Sequence, residues 1–470
     1  MPRSDLHDLT IVQALAEMAA GRVRSRDLVE ALIARCEAGA ALNAFVSRDW
    51  DALRHAADAM DESGRAGHGL GGIPLCFKDN IATGIFPAGA GTGALANSRP
   101  GKVAPVAAAL LQAGAIVGAT GNMHELAFGI TSNNAVTGAA RNPWNRQRIP
   151  GGSSGGVAAA VAAGMMPGGI GTDTGASVRL PAALCGIVGF RPTVGRYSGT
   201  GIVPISRTRD TAGPMARSVE DIILLDHVIG GDGCSSESIT LKGLRLGVPR
   251  AYFYDQLEPA VADCAEASLS ALRKAGVELV EADIPEVGKL DEAVSFPVAL
   301  YEFIRDLQAY LDENGIALTL REVCNGVGSP DVRGLFESLL GAGAVPAAVY
   351  QEAMTTHRPR LQAAYREYFA AHDVAAVVFP TAPMTARPIG QDETVELNGV
   401  QVPTFGTFIR NTDPGSNAAI PGISLPAALS PEGLPIGMEL DGPAASDARL
   451  LAIAAAIEPV FAFHKKPEVA

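Results

Sequence analysis

The sequence lacks the long apolar runs and basic clusters that would indicate several common classes of protein. Its 470 residues contain no stretch of about 18 uncharged apolar residues, so no membrane-spanning helix is expected. Acidic residues outnumber basic ones, and the formal net charge of −13 argues against binding to nucleic acid or to an anionic membrane. Residues 1–20 mix charged and apolar groups and do not resemble a signal peptide.

Cysteine and histidine are also sparse and do not form metal-binding motifs. No CxxC pair occurs among the six cysteines, which are Cys36, Cys76, Cys185, Cys234, Cys264 and Cys324. Such scattered cysteines predict reduced thiols and a cytoplasmic protein. His124-Glu125 lacks the second histidine of the zinc-binding HExxH motif, so a zinc site is not supported.

Hydrophobic residues make up 47% of the chain, which is enough for a large buried core. From Gly72 onward, short apolar segments alternate with amphipathic ones. Strands are predicted over 73–77, 115–119, 168–172, 244–248, 277–281, 374–379, 423–428 and 436–440, and helices over 103–113, 156–166, 257–275 and 447–458. This alternation predicts an α/β fold with a large mixed, mostly parallel twisted sheet flanked by helices.

No linker or repeat divides the chain, so residues 1–470 are predicted to form a single domain. Within it, residues 1–65 carry two or three N-terminal helices, and residues 66–235 carry the most distinctive motifs. Residues 285–400 are predicted to form a largely helical, variable cap that lines a substrate pocket. The aromatic residues of this cap either line the pocket or belong to its core; they include Phe296, Tyr301, Phe303 and Tyr310.

Two serines in glycine-rich segments and one lysine are the chemically informative residues. Ser177 lies in the run Gly171–Arg179, Ser153 lies in the patch Gly151–Gly156, and Lys78 follows a short apolar segment. The chain has no convincing Ser-His-Asp set, so a serine nucleophile would need another base. A buried lysine can serve, because desolvation lowers its pKa and leaves the amine neutral. These residues suggest a Ser-Ser-Lys hydrolase.

Each of these residues also has an ordinary structural interpretation. Ser177 alone could belong to a turn or a helix cap, and the patch Gly151–Gly156 could be a flexible loop before a helix. A phosphate-binding loop would need the lysine of GxxxxGK[ST], which is absent, and no GxGxxG fingerprint stands between a strand and a helix. Lys78 alone could be a surface lysine. Only the combination favours catalysis.

The combined motifs resemble the amidase signature family. The similar segments are Gly72–Pro74, Lys78–Asn80, Thr120–Gly129, Asn142–Trp144, Pro150–Gly156, Gly171–Arg179, Pro181–Gly186, Gly213–Ser218, Pro421–Pro426 and Gly433–Gly437. The resemblance covers most of residues 25–460, is most specific over 72–220 and is weak over 285–400. It implies the fold of that family and hydrolysis of an amide bond without a metal or an organic cofactor.

The resemblance assigns a role to each of the three residues. Ser177 would be the nucleophile, Ser153 the bridging serine after a cis Gly152–Ser153 peptide, and Lys78 the base. Neutral Lys78 would draw the proton of Ser177 through Ser153, and an acyl-enzyme would form and then be hydrolysed.

A glycine-flanked turn between a strand and a helix can surround a serine hydroxyl with backbone N–H groups. The candidate oxyanion hole consists of the N–H groups of Thr174, Gly175, Ala176 and Ser177. The family commonly has Gly-Gly-Ser at the nucleophile, whereas this chain has Gly-Ala-Ser. The methyl group of Ala176 restricts the backbone there, and we expect the fold to tolerate it.

The substrate pocket is expected to combine residues 285–400 with the substrate-binding residues Ala127, Phe128, Gly129 and Thr131. The segment Gly171–Pro192 and the residues that follow it to Asp210 are most similar to the indoleacetamide and mandelamide hydrolases of the family. This similarity implies an arylacetamide-type primary amide as the substrate, with a carboxylic acid and ammonia as products.

Two other functions stay open at this point. One is the glutaminase subunit of a tRNA-dependent amidotransferase, which would need partner subunits; the weak resemblance after residue 285 argues against it. The other is a non-catalytic scaffold, against which the presence of all three catalytic residue types argues. The expected partner is a small amide, with no nucleic acid and no membrane, and a homodimer is compatible with the sequence.

Overall fold

The computed structural model describes residues 3–231 and 238–468. Cys234 and the end of the predicted segment 66–235 therefore lie outside the described residues. Within these ranges, thirteen strands are present, and eleven of them form one sheet. The strands are β1 (Phe45–Arg48), β2 (Pro74–Lys78), β3 (Ile116–Gly121), β4 (Gly168–Asp173), β5 (Val188–Arg191), β6 (Thr211–Ala216), β7 (Arg245–Val248), β8 (Glu278–Glu281), β9 (Ala376–Pro380), β10 (Thr394–Leu397), β11 (Val400–Pro403), β12 (Gly422–Leu429) and β13 (Pro435–Asp441).

Helices cover the sheet and build the region between β8 and β9. Those of the described ranges are α1 (Ile11–Ala19), α2 (Ser25–Ala38), α3 (Trp50–Glu62), α4 (Pro105–Gln112), α5 (Gly155–Ala162), α6 (Arg179–Cys185), α7 (Val219–Gly230), α8 (Arg250–Phe253), α9 (Pro259–Lys274), α10 (Val287–Glu313), α11 (Leu320–Asn325), α12 (Pro330–Leu339), α13 (Ala347–Glu352), α14 (Arg358–His372), α15 (Thr404–Ile409), α16 (Asp413–Asn417) and α17 (Asp447–Phe461).

The sheet is mixed and flanked by helices, as predicted, but parallel pairs do not predominate. Its strand order is β1-β3-β2-β4-β6-β5-β12-β13-β9-β7-β8. Strand β2 pairs in parallel with β3 and β4, and β7 does so with β8 and β9, whereas the other six neighbouring pairs of the described sheet are antiparallel. Part of the reason is local: the short turn Ser430–Gly433 joins β12 to β13, and so short a connection allows only antiparallel pairing.

The predicted elements coincide with observed ones. Each predicted strand and helix overlaps an observed counterpart, helices α1–α3 lie in the N-terminal segment, and α10–α14 form most of the predicted cap. The strands without a sequence prediction are β1, β5, β6, β10 and β11. Of these, β10 and β11 form a separate two-stranded hairpin that begins inside the region predicted as a helical cap and extends beyond its end at residue 400.

Helix α5 is the element that brings distant residues to the edge of the sheet. It is buried on all sides and packs against β2, β3 and β4. Its alanine and glycine side chains allow this close approach: a Cβ atom at Gly156 would clash with backbone atoms of Ala44 and Asn122. Consequently the residues just before α5 lie beside the carboxyl ends of β2 and β4.

Among the helices of the described ranges, none combines the length and the apolar character needed to cross a bilayer. The cysteines of these ranges are buried free thiols: Cys36, Cys76, Cys185, Cys264 and Cys324. Burial in apolar surroundings keeps such thiols protonated and unreactive.

Candidate active site

Lys78 lies at the carboxyl end of β2, next to the carboxyl end of the parallel strand β4. Its side chain is fully buried. The Lys78 Nζ donates hydrogen bonds to Ser153 Oγ at 2.7 Å, to Thr172 Oγ1 at 2.8 Å and to the Thr172 carbonyl oxygen at 3.3 Å. Asn80 Nδ2 donates to the same Thr172 hydroxyl at 3.1 Å. The amine therefore meets neutral oxygen atoms, and no described carboxylate forms an ion pair with it.

Burial lowers the pKa of Lys78 to about 7. The cause is desolvation, because a charged amine loses its hydration when it enters the protein interior. The carboxylates of Asp173 and Asp210 oppose this effect by favouring the ammonium form. Near neutral pH, a substantial fraction of Lys78 is therefore uncharged and can accept a proton from the Ser153 hydroxyl.

The two candidate serines lie on segments that contact each other directly. The Gly152–Ser153 peptide bond is cis, as the resemblance implied. The next residue, Ser154, donates its backbone N–H to the carbonyl oxygen of Ser177 at 3.2 Å. Ser177 is 7% exposed and lines a cavity. Among the hydrogen bonds of residues 3–231 and 238–468, none joins the Ser153 and Ser177 hydroxyls.

The backbone from Thr174 to Ser177 forms the turn between β4 and α6, here called the oxyanion loop. None of its four N–H groups donates a hydrogen bond to another described residue, so all four are free to face a ligand. The loop is held at two points. Arg179 Nη2 donates to the Gly175 carbonyl at 3.0 Å, and Thr174 Oγ1 donates to Asp210 Oδ1 at 2.6 Å.

The two residues before Ser177 differ in the space around them. The methyl group of Ala176 is buried in an apolar cluster with Ile130, and its φ angle is not positive. The alanine that departs from the family pattern is therefore accommodated. A Cβ atom at Gly175 would instead lie 2.5 Å from Asp413 Oδ1 and 2.6 Å from Ile409 Cδ1, so a larger residue here would displace these side chains or the loop.

A buried charge cluster supports the oxyanion loop from below. Asp173 accepts a hydrogen bond from Val178 N at 3.1 Å and forms ion pairs with Arg179 and Arg191, each at 3.1 Å. Arg179 also pairs with Glu439 at 2.5 Å. Burial alone would raise the pKa of Asp173, but the two guanidinium groups hold it well below its usual range. Asp173 is thus a fixed anion that anchors the start of α6.

An apolar cavity of about 280 Å³, here called the acyl cavity, opens beside Ser177. It contains every residue that the sequence suggested for substrate binding, namely Ala127, Phe128, Gly129 and Thr131. The predicted cap region contributes Ser295, Phe296, Ala299, Leu300, Asp331, Leu335 and Asp392. The structure therefore brings the two segments named from the sequence together around Ser177.

The aromatic residues of the cap have different positions. Phe296 lines the acyl cavity and is 47% exposed at its mouth. Tyr301 stacks on Tyr350 with ring centroids 4.2 Å apart, and Phe303 is fully buried, so both belong to the packing of the cap. Tyr310 lines a different cavity.

That second cavity has a volume of about 500 Å³ and lies on the other side of Thr174. Thr174, Ala127 and Ile205 line both cavities. Two buried polar atoms of the second cavity, Asn80 Oδ1 and the Tyr310 hydroxyl, have no hydrogen-bond partner. Asn80 is bonded to Thr172, so this polar cavity reaches the surroundings of Lys78.

Several residues of the site were missing from the sequence prediction. His124, considered only as a zinc ligand, lines the acyl cavity, and its Nε2 lies 3.1 Å from Asp331 Oδ2. Thr131 Oγ1 donates to Asp392 Oδ1 at 2.7 Å. Phe405 also lines this cavity from beyond the predicted cap. Across the described ranges, no three His, Cys, Asp or Glu side chains are arranged to hold a metal ion.

Comparisons with known proteins show the family to which the chain is similar. A model of the Amidase family matches residues 27–451. The indoleacetamide hydrolase of Rhizobium radiobacter is 53% identical over 455 residues, which cover 97% of each chain. The mandelamide hydrolase of Pseudomonas putida is 42% identical over 475 residues, 97% of this chain and 92% of the relative. A crystal structure of an amidase, 32% identical, matches with a TM-score of 0.86 over 96% of this chain and 99% of that one. The resemblance found in the sequence is thereby confirmed.

Replacing Gly175 by alanine should lower kcat for a primary amide by about 100-fold or more, because the added Cβ displaces the N–H donors of the loop. The matched control is Ala176→Gly, which removes a methyl group without a clash and should keep kcat within about tenfold of the parent. Both variants are compared by steady-state ammonia release after circular dichroism has shown that they fold. If Gly175→Ala had the same kcat as the parent protein, the position of the loop would not matter for catalysis.

Proposed function

The chain belongs to the amidase family, and we propose that it hydrolyses small arylacetamide-type primary amides to the carboxylic acid and ammonia. Amide hydrolysis itself rests on the family and on its relatives. The single observation that carries the proposed chemistry is the 2.7 Å hydrogen bond between Lys78 and Ser153, beside Ser177 at the wall of an apolar cavity.

In the proposed acylation step, neutral Lys78 takes the proton of Ser153 while Ser153 takes the proton of Ser177. The Ser177 Oγ attacks the amide carbonyl carbon, and the resulting oxyanion accepts hydrogen bonds from the oxyanion loop. The proton then returns through Ser153 to the leaving nitrogen, the C–N bond breaks, and ammonia leaves an acyl-enzyme. The free N–H groups from Thr174 to Ser177 support this step.

Deacylation uses the same groups in reverse. Water gives a proton to the Ser153–Lys78 pair as its oxygen attacks the acyl carbon, and Ser177 leaves with a proton from the same pair. The missing hydrogen bond between the two serine hydroxyls is compatible with this relay, because such bonds often tighten only when substrate is bound. The pKa of Lys78, about 7, allows the amine to accept and return a proton near neutral pH.

The walls of the acyl cavity support an aromatic substrate. Its apolar lining includes Phe128, Ile130, Phe296, Leu300 and Phe405. Apolar walls with few polar groups favour a planar apolar acyl group over a charged one. The names of the relatives indoleacetamide hydrolase and mandelamide hydrolase denote amides that carry an aromatic ring, which points to the same substrate class.

The same cavity disfavours the alternative function, a glutaminase subunit. Glutamine carries a carboxylate, which needs a positive partner in its pocket. Asp331 and Asp392 contribute carboxylates to the lining of the acyl cavity. Arg209 contributes a guanidinium group, but this group already forms an ion pair with Asp413. A neutral amide therefore fits this lining better than glutamine does.

Ser177→Ala should lower amide hydrolysis by roughly three orders of magnitude or more, because no other group then attacks the carbonyl. A fluorophosphonate probe should label the parent protein at Ser177, and peptide mass spectrometry locates the adduct. The variant is checked for folding by its thermal unfolding curve. An adduct on Ser153 or Ser154 in place of Ser177 would contradict the assignment of the nucleophile.

The kcat of the parent should rise with pH through a midpoint near 7 and level off above it, because only neutral Lys78 can accept a proton. The midpoint belongs to the coupled Lys78–Ser153 pair. Lys78→Ala and Lys78→Arg should both lose at least about 100-fold in kcat, since alanine has no base and arginine stays charged. A flat profile from about pH 6 to about pH 9, with chemistry rate-limiting, would exclude this role.

The purified single chain should prefer indole-3-acetamide or phenylacetamide to glutamine by about 100-fold or more in kcat/KM. Phe296→Ala should reduce kcat/KM for indole-3-acetamide more than for propionamide, whose acyl group is too small to reach the mouth of the cavity. Ammonia release measures both comparisons. Preference for glutamine, with activity only after partner subunits are added, would instead establish the amidotransferase function.

A further inference from the structure

Asp210 joins the oxyanion loop to the wall of the acyl cavity, although the mechanism above does not use it. Its Oδ1 accepts the 2.6 Å hydrogen bond from Thr174 Oγ1. Its Oδ2 accepts hydrogen bonds from the backbone N–H groups of Ile205, at 2.8 Å, and Ser206, at 2.9 Å. One carboxylate therefore ties the first residue of the oxyanion loop to Ile205, which lines both cavities.

The hydrogen bond from Thr174 to Asp210 holds the oxyanion loop at the end that follows β4. Arg179 holds the Gly175 carbonyl from below, whereas the side chain of Thr174 has Asp210 as its hydrogen-bond partner among the described residues. Thr174 also forms part of the partition between the two cavities. Loss of the Asp210 contact would leave the Thr174 N–H free to turn away from the oxyanion position.

Asp210 is also one of the two carboxylates whose field reaches Lys78, the other being Asp173. Asp173 is compensated, since it pairs with both Arg179 and Arg191. Asp210 accepts hydrogen bonds from neutral groups and forms no ion pair with a described residue. Of the two carboxylates that favour the ammonium form of Lys78, Asp210 is therefore the one without an ion-pair partner among the described residues.

The titratable groups around Asp210 do not neutralise its negative charge. It lines the second cavity, and the titratable groups on the walls of this cavity are Arg207, Glu313, Tyr197 and Tyr310. Arg207 pairs with Glu313 at 2.8 Å, and burial raises the pKa of both phenols, which keeps them uncharged. The neighbouring Arg209 is paired with Asp413.

We propose that Asp210 is a positioning residue, which holds the oxyanion loop through Thr174 and whose charge sets the pH range in which Lys78 acts as a base. The proposal rests on the proposed function of Lys78. It assigns two separable effects to one carboxylate: a hydrogen bond that orients the loop, and a negative charge that favours the ammonium form of Lys78.

Asp210→Asn separates the charge from the hydrogen bonds. Asparagine keeps the shape, can accept from the N–H groups of Ile205 and Ser206, and can donate to Thr174 Oγ1. Burial raises the pKa of Asp210 to about 6, so the carboxylate is charged where Lys78 titrates. Removing that charge should move the midpoint of the kcat–pH profile to lower pH by about half a unit or more.

Thr174→Val tests the other effect, because it removes the hydroxyl and keeps the charge of Asp210. It should lower kcat by about tenfold or more, while the midpoint of the kcat–pH profile stays that of the parent. Thr174→Ser keeps the hydroxyl and should restore most of kcat. Asp221→Asn is the matched control: Asp221 is another buried carboxylate, bonded to Val12 N and remote from the site, and its replacement should leave the midpoint unchanged.

The readouts are kcat against pH for a primary amide and, independently of substrate, the rate of fluorophosphonate labelling of Ser177 against pH. An unmoved or raised midpoint in Asp210→Asn would overturn the electrostatic role, and a parental kcat in Thr174→Val would overturn the positioning role. Should Asp210→Asn not fold, the Thr174→Val and Thr174→Ser pair decides the positioning role. If the parent releases ammonia from no primary amide, the proposed function fails, whereas the labelling profiles still test Asp210.

Discussion

The burial of the Lys78 amine without a carboxylate partner is the constraint on which the proposed chemistry depends. A buried lysine with an ion pair would stay charged and could not act as a base. Here the amine donates instead to a serine hydroxyl and to two oxygen atoms of Thr172, so its neutral form remains hydrogen-bonded. Desolvation can then bring its pKa to about 7. The surrounding carboxylates must therefore lie close enough to influence the pKa of the amine without forming an ion pair with it.

The charge cluster below the oxyanion loop meets this requirement for Asp173. Asp173 follows Thr172 directly, but its carboxylate turns to Arg179 and Arg191. Arg179 in turn binds Glu439 and the Gly175 carbonyl, so one guanidinium joins β4, β13 and the loop. Because all of these groups are buried, the loop has little freedom to move. Fixed donors of this kind stabilise an oxyanion without reorganisation during the reaction.

The sequence predicted the contact between Lys78 and Ser153 better than it predicted the topology of the sheet around them. Lys78 and Ser153 are in contact as expected, because the glycine-rich segments that flank them carry specific local motifs. The hairpin of β10 and β11 has a strong turn signal in Asn398-Gly399, but its strands are only four residues long and follow a largely helical region, so their alternating pattern is weak. Asp210 has no motif of its own, since its role depends on contacts with residues far away in the chain.

The lining of the acyl cavity could be derived from the sequence only in part, for a related reason. Its walls come from the segment around Phe128, from Ile205, from the cap helix that carries Phe296, and from Phe405 on α15. These segments are separated by long stretches of chain, and no periodic pattern states which of their side chains share a cavity. The groups proposed to react instead lie close together: Lys78 ends β2, Ser153 lies just before α5, and Ser177 lies in the turn between β4 and α6. The proposed chemistry therefore belongs to a compact, buried part of the fold, whereas the proposed substrate choice depends on loops and cap helices.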